Sequence, residues 1–81
     1  MTPAQCRAAR GLLEITQSQL ADAADLGLST VVDFEKGRRQ VSVGAVKAIR
    51  NALERAGIEF IEENGGGEGL RLRKPRYSKR K

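Results

Sequence analysis

Thr16-Gln17-Ser18-Gln19-Leu20-Ala21-Asp22-Ala23-Ala24-Asp25-Leu26-Gly27-Leu28-Ser29-Thr30-Val31-Val32-Asp33-Phe34-Glu35-Lys36-Gly37 is the stretch that decides the fold. Thr16 followed by Gln19 is a capping box, which opens a helix by satisfying two orphan backbone donors reciprocally. Leu20, Ala21 and Ala24 then share one face at helical spacing. Asp25-Leu26-Gly27 interrupts that helix, so it is short. A second short helix is expected over Leu28 to Lys36, with Val31 and Phe34 facing inward. Gly37 stops it, since glycine accepts the left-handed backbone of a helix end.

Working outward, Thr2-Pro3-Ala4-Gln5 is another capping box with proline at the first helical position. It predicts a helix from about Pro3 to Leu13, with Cys6, Ala9 and Leu13 on one face. Downstream, Arg38-Arg39-Gln40 is a basic loop. Ser42 caps a further helix with Val43, Val46, Ile49 and Leu53 as its apolar stripe, ended by Gly57. The helical period then breaks. Ile58 to Glu62 and Leu70 to Arg73 alternate like strands around a run, Asn64 to Gly67, that turns use and helices do not. They predict a β-hairpin, ended by Pro75. The expected fold is mainly α: a helix-turn-helix bundle of about four short helices with a C-terminal β-hairpin.

At 81 residues and 8.8 kDa the chain makes one small domain, which buries only about 60% of its unfolded surface and often leans on a partner subunit. Aromatics are 4% of the chain, so the core is aliphatic. The single cysteine and the lack of histidine exclude His- and Cys-based zinc sites, Ser–His–Asp triads and Cys–His dyads. No metal or cofactor is expected, and no enzyme. Cys6 reads as a core residue rather than a redox sensor. No apolar run approaches the ~20 residues that span a bilayer, and no signal-peptide pattern opens the chain. A cytoplasmic, membrane-free protein is the expectation.

Charge is unevenly spread. Residues 1–70 hold 8 basic and 10 acidic residues, a net of −2, whereas residues 71–81 hold 7 basic residues and no acid. Residues 74–81 are expected to be a basic disordered tail. It is read either as a contact for nucleic acid or as a solvated end.

The residues from Thr16 to Gly37 resemble the Cro/CI-type (XRE-type) DNA-binding domains, which have a lambda-repressor-like fold. The matching positions are Thr16-Gln17-Ser18-Gln19-Leu20-Ala21, Ala24, Leu26, Thr30-Val31, Phe34-Glu35 and Gly37. The resemblance runs through roughly residues 1–57, the expected DNA-binding domain. The sequence departs from it at Asp25, where relatives usually carry glycine, and at Gly27, where they usually carry a serine or asparagine cap.

The second helix of the motif can lie in the major groove, where side chains reach base edges. Its outward positions are Leu28, Ser29, Val32 and Asp33, and the resemblance implies base contacts at Leu28, Ser29 and Asp33. Serine bonds several bases, Leu28 suits a thymine methyl, and Asp33 can accept from cytosine N4 while repelling phosphates. Thr16 and Gln17 stand at a helix start, where backbone N–H groups favour a phosphate. The resemblance makes Gln17 a phosphate clamp. Lys36, Arg38 and Arg39 follow the recognition helix and can grip the adjacent backbone. The resemblance also implies a partly buried structural pair between Arg10 and Glu35.

These readings point to a sequence-specific transcriptional regulator. Its expected partner is a two-fold operator in double-stranded DNA, bound by a homodimer, with repression by occlusion as the default mode. The hairpin, residues 58–73, is the expected dimerisation element. By alternation Ile58 and Phe60 share a face, as do Leu70 and Leu72. Alternatively the hairpin folds back on its own helices. A different reading of the chain is an antitoxin-like adaptor, in which the hairpin or tail captures a protein antagonist or partner.

Overall fold

The computed structural model describes residues 1–38, 40–63 and 65–73. The chain runs α1 (Pro3–Leu13), α2 (Gln17–Ala24), α3 (Leu28–Lys36), α4 (Val43–Arg55), β1 (Ile58–Ile61) and β2 (Gly69–Leu72). It is a helix-turn-helix bundle closed by a two-stranded antiparallel hairpin. The sequence expectation placed Glu62 in the first strand and Arg73 in the second; both strands stop one residue short of them. The expected basic tail and Arg39 lie outside the described residues.

Both capping boxes form. Thr2 Oγ1 accepts from the Gln5 N–H at 3.1 Å and Thr16 Oγ1 from the Gln19 N–H at 3.0 Å, each glutamine reaching back to the cap N–H. Three helices end alike. Glu14, Asp25 and Gly37 adopt left-handed backbone, with φ of 58°, 58° and 64°. Behind each, the next N–H turns back onto the helix: Ile15 to the Arg10 carbonyl at 3.2 Å, Leu26 to Ala21 at 2.9 Å and Arg38 to Asp33 at 3.1 Å. This is the Schellman geometry, which satisfies the last carbonyls and reverses the chain in two residues. Three short turns of this kind keep α1, α2 and α3 close enough to share one core.

That core is built from small and aliphatic side chains. Cys6 and Ala9 of α1, Leu20, Ala21 and Ala24 of α2, Val31 and Phe34 of α3, and Ile49, Ala52 and Leu53 of α4 are buried together. Val43 is not among them. It is 83% exposed, against the expectation that it belongs to the α4 stripe. It stands at the first position of α4. Val41, just outside the helix, is buried instead and sits where a staple residue meets Val46 in the fourth helical position.

The hairpin roofs this bundle. Its register pairs Ile58 with Leu72 and Phe60 with Leu70, so the four apolar residues do share one face. Much of that face lies on the chain's own helices. Ile58 is fully buried, and Phe60 and Leu70 pack on the core. Gln5 Nε2 donates to the Gly69 carbonyl at 3.4 Å, tying α1 to β2. Arg50 lies 4.9 Å from the Phe60 ring centre, tying α4 to β1. Of the four residues expected at a dimer contact, only Leu72, 46% exposed, keeps substantial surface. Across the outer face Arg71 pairs with Glu59 at 3.1 Å. No helix among the described residues is long and apolar enough to cross a membrane.

Candidate nucleic-acid interface

α3 turns Val31, Phe34 and Glu35 inward. The opposite stripe is Leu28, Ser29, Val32, Asp33 and Lys36, spaced to run along one side of the helix. Leu28 and Ser29 are exposed, while Val32 and Asp33 are half-buried. Gly27 caps the helix without a side-chain hydrogen bond, so the Leu28 and Ser29 N–H groups have no side-chain cap.

Glu35 is the hub on the inner side. Its carboxylate is 2% exposed and receives a forked contact from Arg10, Nε to Oε2 at 2.7 Å and Nη2 to Oε1 at 2.8 Å. Gln17 Nε2 donates to Oε1 at 3.0 Å, and the Cys6 thiol to Oε2 at 3.1 Å. Arg7 donates to the Glu35 backbone carbonyl. One carboxylate therefore clasps α1, α2 and α3. Burial pushes its carboxyl upward in pKa. The hydrogen bonds from Arg10, Cys6 and Gln17 and the Arg10 charge outweigh that, holding it below the usual 4.5. The Cys6 thiol is pushed far up, first by burial and then by its bond to Glu35, so it stays protonated.

Next to this hub an open cleft of about 880 Å³ is lined by Arg7, Arg10, Ile15, Thr16, Gln17, Glu35, Lys36 and Arg38. The cleft is cationic, because Arg10 already neutralises the one carboxylate on its wall. It also receives the start of α2. The capping box uses the N–H groups of Thr16 and Gln19, leaving those of Gln17 and Ser18 at the positive end of the helix. One Nε2 hydrogen of Gln17 serves Glu35, and an amide nitrogen carries a second for another acceptor. An anion is what this arrangement can hold. Lys36 belongs both to the cleft and to the outer stripe of α3, so the anion site adjoins that stripe. The spacing and sequence of residues 7–60 match the family described as Helix-turn-helix. The chain belongs to the helix-turn-helix family. This is the XRE type, a family of DNA-binding transcription regulators and not of enzymes. Compared with curated proteins, the chain matches none.

In this helix-turn-helix protein the structure brings Thr16, Gln17, Lys36 and Arg38 to one cleft and leaves Leu28, Ser29, Val32 and Asp33 beside it on α3. Arg10 and Glu35 pair across the α1–α3 contact. Arg39 lies outside the described residues. Sequence reading missed Arg7 as a cleft residue. Its signal was its place one turn before Arg10 on the same helix, which lets α1 present two guanidinium groups to one side.

Proposed function

We propose that the chain is a sequence-specific repressor that binds a two-fold operator as a dimer. The observation that carries this is the cationic cleft at the open start of α2, contiguous through Lys36 with the exposed stripe of α3. A phosphate in the cleft sets the register of α3, and the stripe then meets base edges in the major groove. Leu28, Ser29, Val32 and Asp33 supply the readout. Thr16, Gln17, Lys36, Arg38 and Arg39 hold the backbone, joined by Arg7. Repression follows by occlusion of the promoter.

Selection of operators from a random DNA pool tests the reading. Ser29→Ala changes the preferred base at one position by about 1–3 kcal/mol, whereas Gln17→Ala weakens every operator about equally. Uniform weakening by Ser29→Ala counts against readout by α3. A dimer needs two copies about 34 Å apart along the duplex. The hairpin's apolar face is occupied, so the pairing surface we assign is a strand edge together with Leu72. An unpaired edge accepts another strand. Leu72→Lys then yields a folded monomer in sedimentation, with weakened operator binding. A Leu72→Lys chain that still sediments as a dimer places the interface elsewhere.

A further inference from the structure

α3 presents an acid to a polyanion. A carboxylate approaching the major groove is repelled by flanking phosphates, and the repulsion grows as water is excluded. The fold holds a remedy. Gly37 is left-handed at φ 64°, the Gly37 N–H bonds to the Phe34 carbonyl at 3.2 Å, and the Arg38 N–H bonds to the Asp33 carbonyl at 3.1 Å. A Schellman turn brings the residue after the left-handed position over the third residue from the helix end, and an apolar contact frequently joins that region. Here the juxtaposed residues are charged. Arg38 Nη1 lies 3.8 Å from Asp33 Oδ1, with the two side chains 58% and 19% exposed. Such an exposed pair adds little to stability. Its consequence falls on the complex: Arg38 also lines the cationic cleft, so one side chain belongs both to the surroundings of the acid of α3 and to the place assigned to a phosphate.

We infer that Arg38 is a positioning residue for Asp33, and that the two together read one base pair of each half-site through the cytosine N4 amino group in the major groove. This rests on α3 being the reading helix. Arg38 screens the carboxylate from the backbone charge. Asp33 then accepts from the amino group, the one contact a carboxylate makes well with a base edge.

The test uses the full chain, its Asp33→Asn, Arg38→Gln and Arg38→Lys variants, and the Asp33→Asn/Arg38→Gln double variant. Affinity is measured on the selected operator and on its variants with each base at every half-site position. Circular dichroism checks that each variant keeps the fold. Asp33→Asn is expected to relax one position by about tenfold. Arg38→Gln relaxes that same position, costs more in the Asp33 background than in the Asp33→Asn background, and is partly rescued by Arg38→Lys. Equal cost in both backgrounds, with base preference untouched, makes Arg38 an independent phosphate contact and overturns the inference. So does an A·T pair preferred at the Asp33-dependent position, or no such position. A pool that yields no operator overturns the inference together with the reading it rests on; the other failures overturn the inference alone.

Discussion

Among the described residues, two that are not glycine hold a backbone shape that suits glycine. Glu14 and Asp25 sit in left-handed conformation at helix ends, where Gly37 serves the third. Left-handed backbone costs an ordinary L-residue about 1–2 kcal/mol, and less for aspartate, whose short side chain bonds locally. Glycine removes that strain but loses more entropy on folding, offsetting about 0.4–1 kcal/mol. Glu14→Gly is therefore expected to stabilise the fold by up to about 1 kcal/mol in urea denaturation, and Asp25→Gly by less. A loss of stability in Glu14→Gly contradicts this. Glu35 gives the opposite case, a residue that must stay. Arg10→Met leaves its buried carboxylate with only Gln17 and Cys6, and costs about 3–5 kcal/mol. The sign with pH follows from its lowered pKa. The stabilisation is complete above the unfolded value near 4.5 and is lost as the pH falls through the lower folded value. Urea titrations of the parent chain and Glu35→Gln at descending pH should converge in that acid range, and parallel curves there refute the assignment.

At the scale of elements, the C-terminal end of α3 is where the proposed groove and backbone contacts meet. Lys36 sits in both, so Lys36→Gln is expected to reduce the slope of log affinity against log salt by about 0.9, the effect of one phosphate contact. An unchanged slope removes Lys36 from the interface. The helices themselves were legible in the sequence for a local reason. Capping boxes at Thr2 and Thr16 and the stop at Gly37 are written in neighbouring residues, so the starts of α1 and α2 and the end of α3 could be read directly. The α4 stripe was read less well, because periodicity says which residues share a face and not where the neighbouring helices end. Val43 projects past them, and Val41, outside the helical period, takes the core position. The same limit explains the hairpin. Alternation grouped Ile58, Phe60, Leu70 and Leu72, but what covers them is a tertiary matter. In the site, the tie from Gln17 to Glu35 and the place of Arg7 were hidden, since each joins residues far apart in sequence.

For the whole molecule, the order of the chain and the order of its packing run against each other. α1 comes first, yet it is held by β2, through Gln5 and Gly69, and Ile58 completes the core. Residues up to 57 therefore carry the proposed DNA-contacting surface but lack its roof. This has a consequence for synthesis. A polypeptide grows from its N-terminus at about 5–20 residues per second. The helices are free to form as they leave the ribosome, but their apolar side stays wet until the hairpin follows. A nascent chain arrested with residue 57 just outside the exit tunnel should be cut by protease within α1 or α4. One arrested with residue 73 outside should resist, and equal resistance at both lengths would show that the helices mature without their last two strands.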